Sequence, residues 1–341
     1  MVDLLPILVF AFALYKIKLV KPVAALNYDY SSKGTNLMLK GLFALIIMLG
    51  HLSYTATSGR LMPIFNCTGY QSAAFFFFLS GFGLIKSLEK KENYLDSFLS
   101  NKFINLILPY LIICLIYWFA TFFFGEHYSA GAVLKSFING NPIVDNSWYL
   151  ILCILFYLSF FAFAKLFKKN KVIIAFCSFA LCVILVFVFK RLGYGTWWYD
   201  SNYGYPIGML WAIYEDKIIF FAKKLPGYII MLAAALCLWA VTFYLGLKFY
   251  SMNHQFVRIN AIFLSIIVFL LLMKFKLNSP ILKFYGKISL EFYLMHGLFI
   301  RFFRSEIINI SNDFLWGIAV LVSTTIVSIL LNKFFNKIKH S

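Results

Sequence analysis

Two ionisable residues, Lys40 and His51, flank a stretch of sequence that is otherwise apolar or glycine. In an α-helix they stand roughly 16 Å apart along the axis and about three turns apart, so both project from nearly the same face. Histidine titrates near neutral pH and can take a proton from a hydroxyl nucleophile. The spacing indicates a groove with a cation at one depth and a base at another. A histidine that only satisfies a hydrogen bond in the core is the structural alternative.

A second polar pair, Lys102 and Asn105, lies one helical turn apart at the start of another apolar run. If this pair faces Lys40, the three side chains could hold a phosphate-bearing ligand. The small residues Ser80 and Gly81 allow close helix packing, which explains their presence without a role in binding.

Two further groups of side chains are candidates for contact with a substrate. Trp148 and Tyr149 begin an apolar run, where aromatic residues form either an interfacial belt or a platform for a sugar. Glu291, Tyr293 and His296 share a later run. A carboxylate at membrane depth should be paired or line a cavity, so substrate positioning and a structural ion pair remain open for Glu291.

The elements that must position these residues are membrane-spanning helices. Of the 341 residues, 62% are hydrophobic and only 13% charged, against about a quarter charged in ordinary soluble domains. Continuous apolar runs of about 20 residues predict helices, because helices satisfy every backbone group in lipid. We expect an all-α polytopic bundle of about eleven spans in one domain, 1–341, with 3–20 an extra N-terminal span. The spans are predicted at residues 3–20, 37–57, 70–88, 103–124, 147–167, 172–189, 203–222, 227–248, 258–275, 284–303 and 313–333.

The formal net charge of +18 could indicate nucleic-acid binding, but a basic excess is also typical of cytoplasmic loops. Most lysines and arginines fall on one side of the predicted layout. The positive-inside rule then predicts a multi-pass protein of the cytoplasmic membrane with its N-terminus outside, its C-terminus inside and no nucleic-acid partner. The six cysteines show no metal-binding spacing, so no metal is expected.

Several of these stretches, in this order and spacing, resemble the membrane acyltransferases of the acyltransferase-3 type, which O-acylate sugars and other cell-envelope molecules. The resemblance implies a core of about 37–333. The matching stretches are Lys40-Gly41 to Gly50-His51, Phe76-Phe77-Phe78-Leu79-Ser80-Gly81-Phe82, Phe98 to Leu108-Pro109-Tyr110, Ser147-Trp148-Tyr149-Leu150, Pro206-Ile207-Gly208-Met209, and Gly286-Lys287-Ile288-Ser289 to Tyr293-Leu294-Met295-His296.

The resemblance implies that His51 is catalytic, either as the general base on the acceptor or as a relay for the acyl group. Lys40 takes the place of the family's usual arginine, and the paired arginines of its RxxR element fall on Lys102 and Asn105. Lysine lacks the bidentate phosphate contacts of arginine, and asparagine brings no charge.

The expected activity is transfer of an acyl group, acetyl in the first instance, from cytoplasmic acyl-CoA to a hydroxyl of a surface polysaccharide or other envelope glycan. Acetyl-CoA is then a co-substrate, no cofactor is tightly bound, and a lipid-linked sugar is a further acceptor type. The alternative is a transporter or flippase of a lipid-linked glycan, whose cavity would also hold buried Lys, His and Glu. Transporters tend to show repeats or broken helices, and the sequence indicates neither. The oligomeric state does not follow from the sequence.

Overall fold

The computed structural model describes residues 1–22, 25–249 and 254–340, and most of this part of the chain is helical. A π-helical stretch, Phe103–Ile107, joins the helices Phe98–Lys102 and Leu108–Phe123 into one continuous rod. The helices are α1 Leu4–Leu14, α2 Lys33–Thr55, α3 Thr68–Lys90, α4 Phe98–Lys102, α5 Leu108–Phe123, α6 Ala130–Ile138, α7 Trp148–Leu166, α8 Lys171–Arg191, α9 Gly204–Ala222, α10 Leu225–Lys248, α11 Gln255–Leu272, α12 Pro280–Lys287, α13 Ser289–Phe302 and α14 Asp313–His340.

Eight of the described helical segments are long and apolar enough to cross a membrane. They are α2, α3 with the 3-10 turn before it, the α4–α5 rod, α7, α8, α10, α11 and α14. The prediction of an all-α polytopic bundle is therefore confirmed. The remaining three of the predicted spans are not among these eight.

The predicted first span, 3–20, is not a membrane-length helix. The apolar run ends at Leu14, and α1 ends with it after 11 residues, which is about half the length that crosses the hydrocarbon. Lys16 then adopts a positive φ of 58°, and Lys18–Leu19 pairs as an antiparallel strand with Phe275–Lys276. The lysines at the end of the predicted span thus belong to a turn and a strand.

The predicted spans at 284–303 and 203–222 differ for separate reasons. The first is broken at Ile288 into α12 and α13. The second forms a helix of 19 residues, α9, but three consecutive charged residues lie near its end. One of them, Glu215, accepts a hydrogen bond from the Tyr30 hydroxyl at 2.5 Å and pairs with Lys86 at 2.7 Å.

Glycines bring α3 and α9 into direct backbone contact. A Cβ on Gly81 would lie 2.0 Å from the Tyr205 carbonyl oxygen, and one on Gly208 would lie 2.0 Å from the Phe78 carbonyl oxygen. Real Cβ atoms do not approach this closely, so only glycine fits either position. Small residues serve this purpose in membrane bundles, where close packing rather than exclusion of water drives helix association.

Glycines also bring α12 into direct backbone contact with α2. A Cβ on Gly41 would lie 2.2 Å from the Leu282 carbonyl oxygen, and one on Gly286 would lie 1.9 Å from the Leu37 carbonyl oxygen. The short α12 therefore packs across the first half of α2. The chain enters α13 from this fixed position, which brings α13 alongside the second half of α2.

Replacing Gly208 with alanine should destabilise the fold, since its methyl group would overlap backbone of α3. Overpacking of this kind typically costs about 1–3 kcal/mol, so we expect a clearly lower melting temperature in detergent. Gly83→Ala is the matched control, because a Cβ there meets nothing within 4 Å. Equal melting temperatures for the two variants would contradict the packing described.

Candidate active site

A cavity of about 1040 Å³ opens at the end of the bundle where α2 ends and α3 begins. Residues near the ends of α10 and α13 and the loops before α7 and α9 complete its wall. Pockets for small ligands usually measure about 300–1,000 Å³, so this one has room for a sugar-sized molecule. His51 lies in its wall.

His51 is paired with His296 of α13. The distance between His51 Nδ1 and His296 Nε2 is 2.5 Å, a short hydrogen bond. On the far side of the second ring, His296 Nδ1 lies 3.1 Å from the carbonyl oxygen of Phe292. His296 is fully buried, whereas His51 is partly exposed.

These contacts determine where the protons lie in the pair. A carbonyl oxygen can only accept, so His296 Nδ1 carries a proton and donates it to Phe292. With both rings neutral, His296 Nε2 is then an acceptor, and His51 Nδ1 must be the donor. The remaining nitrogen, His51 Nε2, keeps its lone pair and has no hydrogen-bond partner among the described residues. It is a base held in one tautomer.

The loop before α7 reaches the same ring. Asn146 has a φ of 65°, a left-handed conformation that asparagine tolerates better than most residues. Its side-chain amide lies 3.3 Å from His51 Nδ1. Because that ring nitrogen is a donor, the contact is a hydrogen bond only when the amide is turned so that its oxygen faces the ring. The Tyr293 hydroxyl donates to the Asn146 carbonyl oxygen at 2.9 Å, which ties this loop to α13. Tyr293 and Trp148, both expected to contact substrate, line the cavity.

Lys40 and Lys102 come together away from this cavity, further toward the opposite end of the bundle. Both ammonium groups lie within electrostatic range of the Cys153 side chain, and Lys40 lies within that range of Lys102. Lys102 Nζ lies 3.7 Å from the centroid of the Tyr157 ring, a cation–π contact. It also borders a second, mostly apolar cavity of about 440 Å³. The structure therefore places Lys40 and Lys102 in one region of the bundle, and their binding of a phosphate stays a prediction.

A line of side chains leads from the lysines to the histidines. Cys153 neighbours the hydroxyl of Tyr149, and the Tyr149 ring lies 5.4 Å from that of Tyr293, centroid to centroid. Tyr293 in turn lies 6.0 Å from the His296 ring. Tyr149, a candidate for contact with substrate, lies between the two clusters and is not among the residues that line the large cavity.

Two other predicted site residues lie apart from both clusters. Asn105 is exposed and donates from Nδ2 to the Asn101 carbonyl oxygen at 2.8 Å, so it serves the π-helical stretch rather than the lysine pair. Glu291 is buried and accepts from Asn332 Nδ2 at 3.0 Å. Neither residue lines a cavity described here.

Sequence reasoning did not identify several polar residues of the cavity wall, including Asp145, Asn146, Asp200 and Arg301. The only signal for the first two was a short polar segment directly before Trp148. Asp200 is satisfied within the protein by His254 at 3.1 Å and Arg258 at 3.4 Å. Burial raises the pKa of the Asp200 carboxyl, and both basic neighbours oppose that rise.

The chain matches a family model described as an acyltransferase domain, that of membrane acyltransferase family 3, over residues 38–333. The match covers most of the chain, and the protein belongs to this family of membrane acyltransferases. No curated protein and no solved structure matches it.

Replacing His296 with phenylalanine should keep the ring's bulk but remove the acceptor for His51 Nδ1. In a serine protease triad, loss of the group that fixes the histidine tautomer costs about 10⁴ in rate, and we expect a loss of at least 10²-fold in acyl transfer. The Michaelis constant for the acyl donor should stay within about twofold, because no donor contact is removed. Activity and stability should be measured together in detergent.

A phenylalanine variant that folds and transfers at the wild-type rate would contradict the orienting role. His296→Gln is the matched variant, since its amide oxygen can accept from His51 Nδ1. It should retain more activity than the phenylalanine variant at equal stability.

Proposed function

We propose that this protein transfers an acetyl group from cytoplasmic acetyl-CoA to a hydroxyl of an envelope glycan. The observation that carries this proposal is His51, a base held in one tautomer in the wall of a sugar-sized cavity. Membership of a membrane acyltransferase family supports the acyl-transfer step. The acetyl group, the CoA donor and the glycan acceptor are our assignment.

The donor site in this proposal is the lysine pair. Lys40 and Lys102 lie within electrostatic range of each other, and an anion between two cations reduces their mutual repulsion. The phosphates of CoA supply that anion. Lys40 and His51 are separated by roughly 16 Å along α2, a distance suited to the extended pantetheine arm of CoA, which would follow Cys153 and Tyr149.

In the transfer step, the acceptor hydroxyl gives its proton to His51 Nε2 while its oxygen attacks the thioester carbonyl carbon. Collapse of the tetrahedral intermediate forms the ester bond and breaks the carbon–sulfur bond. The CoA thiolate leaves and recovers the proton from His51. While His51 is protonated, His296 and the Phe292 carbonyl share the positive charge through their hydrogen bonds. A route through an acyl-histidine would use the same nitrogen.

The proposed orientation places the lysine pair at the cytoplasmic side and the large cavity at the outer side, following the positive-inside rule. CoA is a cytoplasmic metabolite and envelope glycans are completed outside. Each substrate would therefore reach its proposed site from the side of the membrane on which it is found. Trp148 and Tyr293 in the cavity wall supply aromatic surface and a hydroxyl near His51, both suited to a sugar.

Mass spectrometry of envelope glycans from a deletion strain and its parent tests this function. We expect the deletion to remove an acetyl substituent from one glycan without lowering the amount of that glycan, and the wild-type gene to restore it. A flippase or transporter would give the opposite result: less surface glycan with unchanged substitution. That outcome would overturn the proposal.

Replacing Lys102 with alanine should weaken acyl-CoA binding. A hydrogen bond to a charged group contributes about 1.5–3 kcal/mol, so the apparent Michaelis constant for acetyl-CoA should rise about tenfold or more, with a smaller change in turnover. Lys102→Arg should bind CoA at least as well, and Lys90→Ala, an exposed lysine at the end of α3, should have no effect. An unchanged Michaelis constant for acetyl-CoA in Lys102→Ala would contradict the assignment of the lysine pair to the CoA phosphates.

A further inference from the structure

We infer that Asp145 binds a second hydroxyl of the acceptor, next to the one that His51 deprotonates, and so selects acceptors with two neighbouring hydroxyls. The inference rests on the proposed function in one respect: it takes the large cavity as the acceptor site. Asp145 would act as a positioning residue, which holds the sugar without taking part in bond making.

Two observations place Asp145 next to the histidine pair. It directly precedes Asn146, whose amide contacts His51. It also lies over α13 at Gly297, the residue after His296, where a Cβ would come within 2.8 Å of Asp145 Cβ and 3.0 Å of Asp145 Oδ2. The carboxylate and His51 line the same cavity.

The Asp145 carboxylate has no hydrogen-bond donor among the residues that the structure describes. The nearest cation, Arg301, already donates to both carboxylate oxygens of Glu126 at 3.1 Å. The nearby Tyr117 hydroxyl donates to the Leu294 carbonyl oxygen at 2.7 Å and accepts from the Leu298 amide at 2.9 Å. Burial raises the pKa of the Asp145 carboxyl, and Arg301 opposes that rise.

Asp145 is partly exposed and lines the cavity, so its carboxylate is open to a hydrogen bond from a donor on a ligand. Asp200, the other carboxylate in the cavity wall, is different because His254 and Arg258 already satisfy it. Of the two carboxylates, only Asp145 lacks a donor from the part of the protein that the structure describes. A hydroxyl can donate to it, whereas a sugar carboxylate at that position would be repelled.

Sugar binding can be tested without any acyl donor, because Trp148 and Trp197 line the cavity and report on it by fluorescence. The probes are methyl glycosides of common hexoses and N-acetylhexosamines, each with its series of monodeoxy analogues. Wild-type protein should bind at least one parent glycoside and should bind two of its monodeoxy analogues at least tenfold more weakly. One of these analogues lacks the hydroxyl that contacts His51, and the other lacks the hydroxyl that contacts Asp145.

In Asp145→Ala, which removes the acceptor oxygens, the discrimination against one of those two analogues should fall below about threefold, while discrimination against the other stays. Asp200→Ala is the matched control, a change of the other carboxylate in the same cavity that should leave both discriminations intact in folded protein. Gly297→Ala is a second test of the same contact. The added methyl group would displace the Asp145 side chain without changing its carboxylate, so this variant should bind the parent glycoside more weakly.

Unchanged discrimination in folded Asp145→Ala would overturn the inference, and so would a wild-type protein that binds no glycoside of the panel. Failure of the Asp145 inference and failure of the proposed acyl transfer give different results. Sugar binding that depends on Asp145, in a protein that transfers no acetyl group, would contradict the acyl-transfer proposal and leave the sugar contact standing.

Discussion

The hydrogen bond between His51 and His296 is the interaction on which the rest of the site depends. It joins α2 to α13, two helices that carry residues 245 positions apart in the sequence. Only this bond, with the Phe292 carbonyl behind it, leaves His51 Nε2 unprotonated and open to the cavity. The arrangement parallels the serine protease triad, but here the orienting group is a neutral imidazole and not a carboxylate.

Helix packing fixes the relative positions of α2 and α13, the two helices that this bond joins. Gly41 and Gly286 allow α12 to lie against the backbone of α2, and the break at Ile288 then directs α13 along the second half of α2. The stretches that carry the family resemblance therefore divide into two kinds. Gly41, Gly81, Gly208 and Gly286 are positions where helices touch, and the histidines are positions where chemistry is possible.

Apolar run length predicted most of the membrane-length helices, and helical spacing placed Lys40 and His51 on one side of α2. The partnership of His51 with His296 was not predicted, and His296 was expected to bind substrate instead. Periodicity describes one helix at a time, so it contains no information on which faces of distant helices meet. The same limit explains Asn105 and Glu291: both were polar residues in apolar runs, and both satisfy local partners, Asn101 and Asn332.

The central claim is that His51 Nε2 is the base for acyl transfer. Acyl transfer per folded molecule, measured for His51→Ala and His51→Gln with folding checked by monodisperse behaviour in detergent, tests it most directly. A general base contributes about 10²–10⁴ in rate, and glutamine keeps the hydrogen bonding but cannot hold a proton near neutral pH. Both variants should therefore be nearly inactive while remaining folded. A fully active glutamine variant, with the alanine variant merely less stable, would contradict the claim.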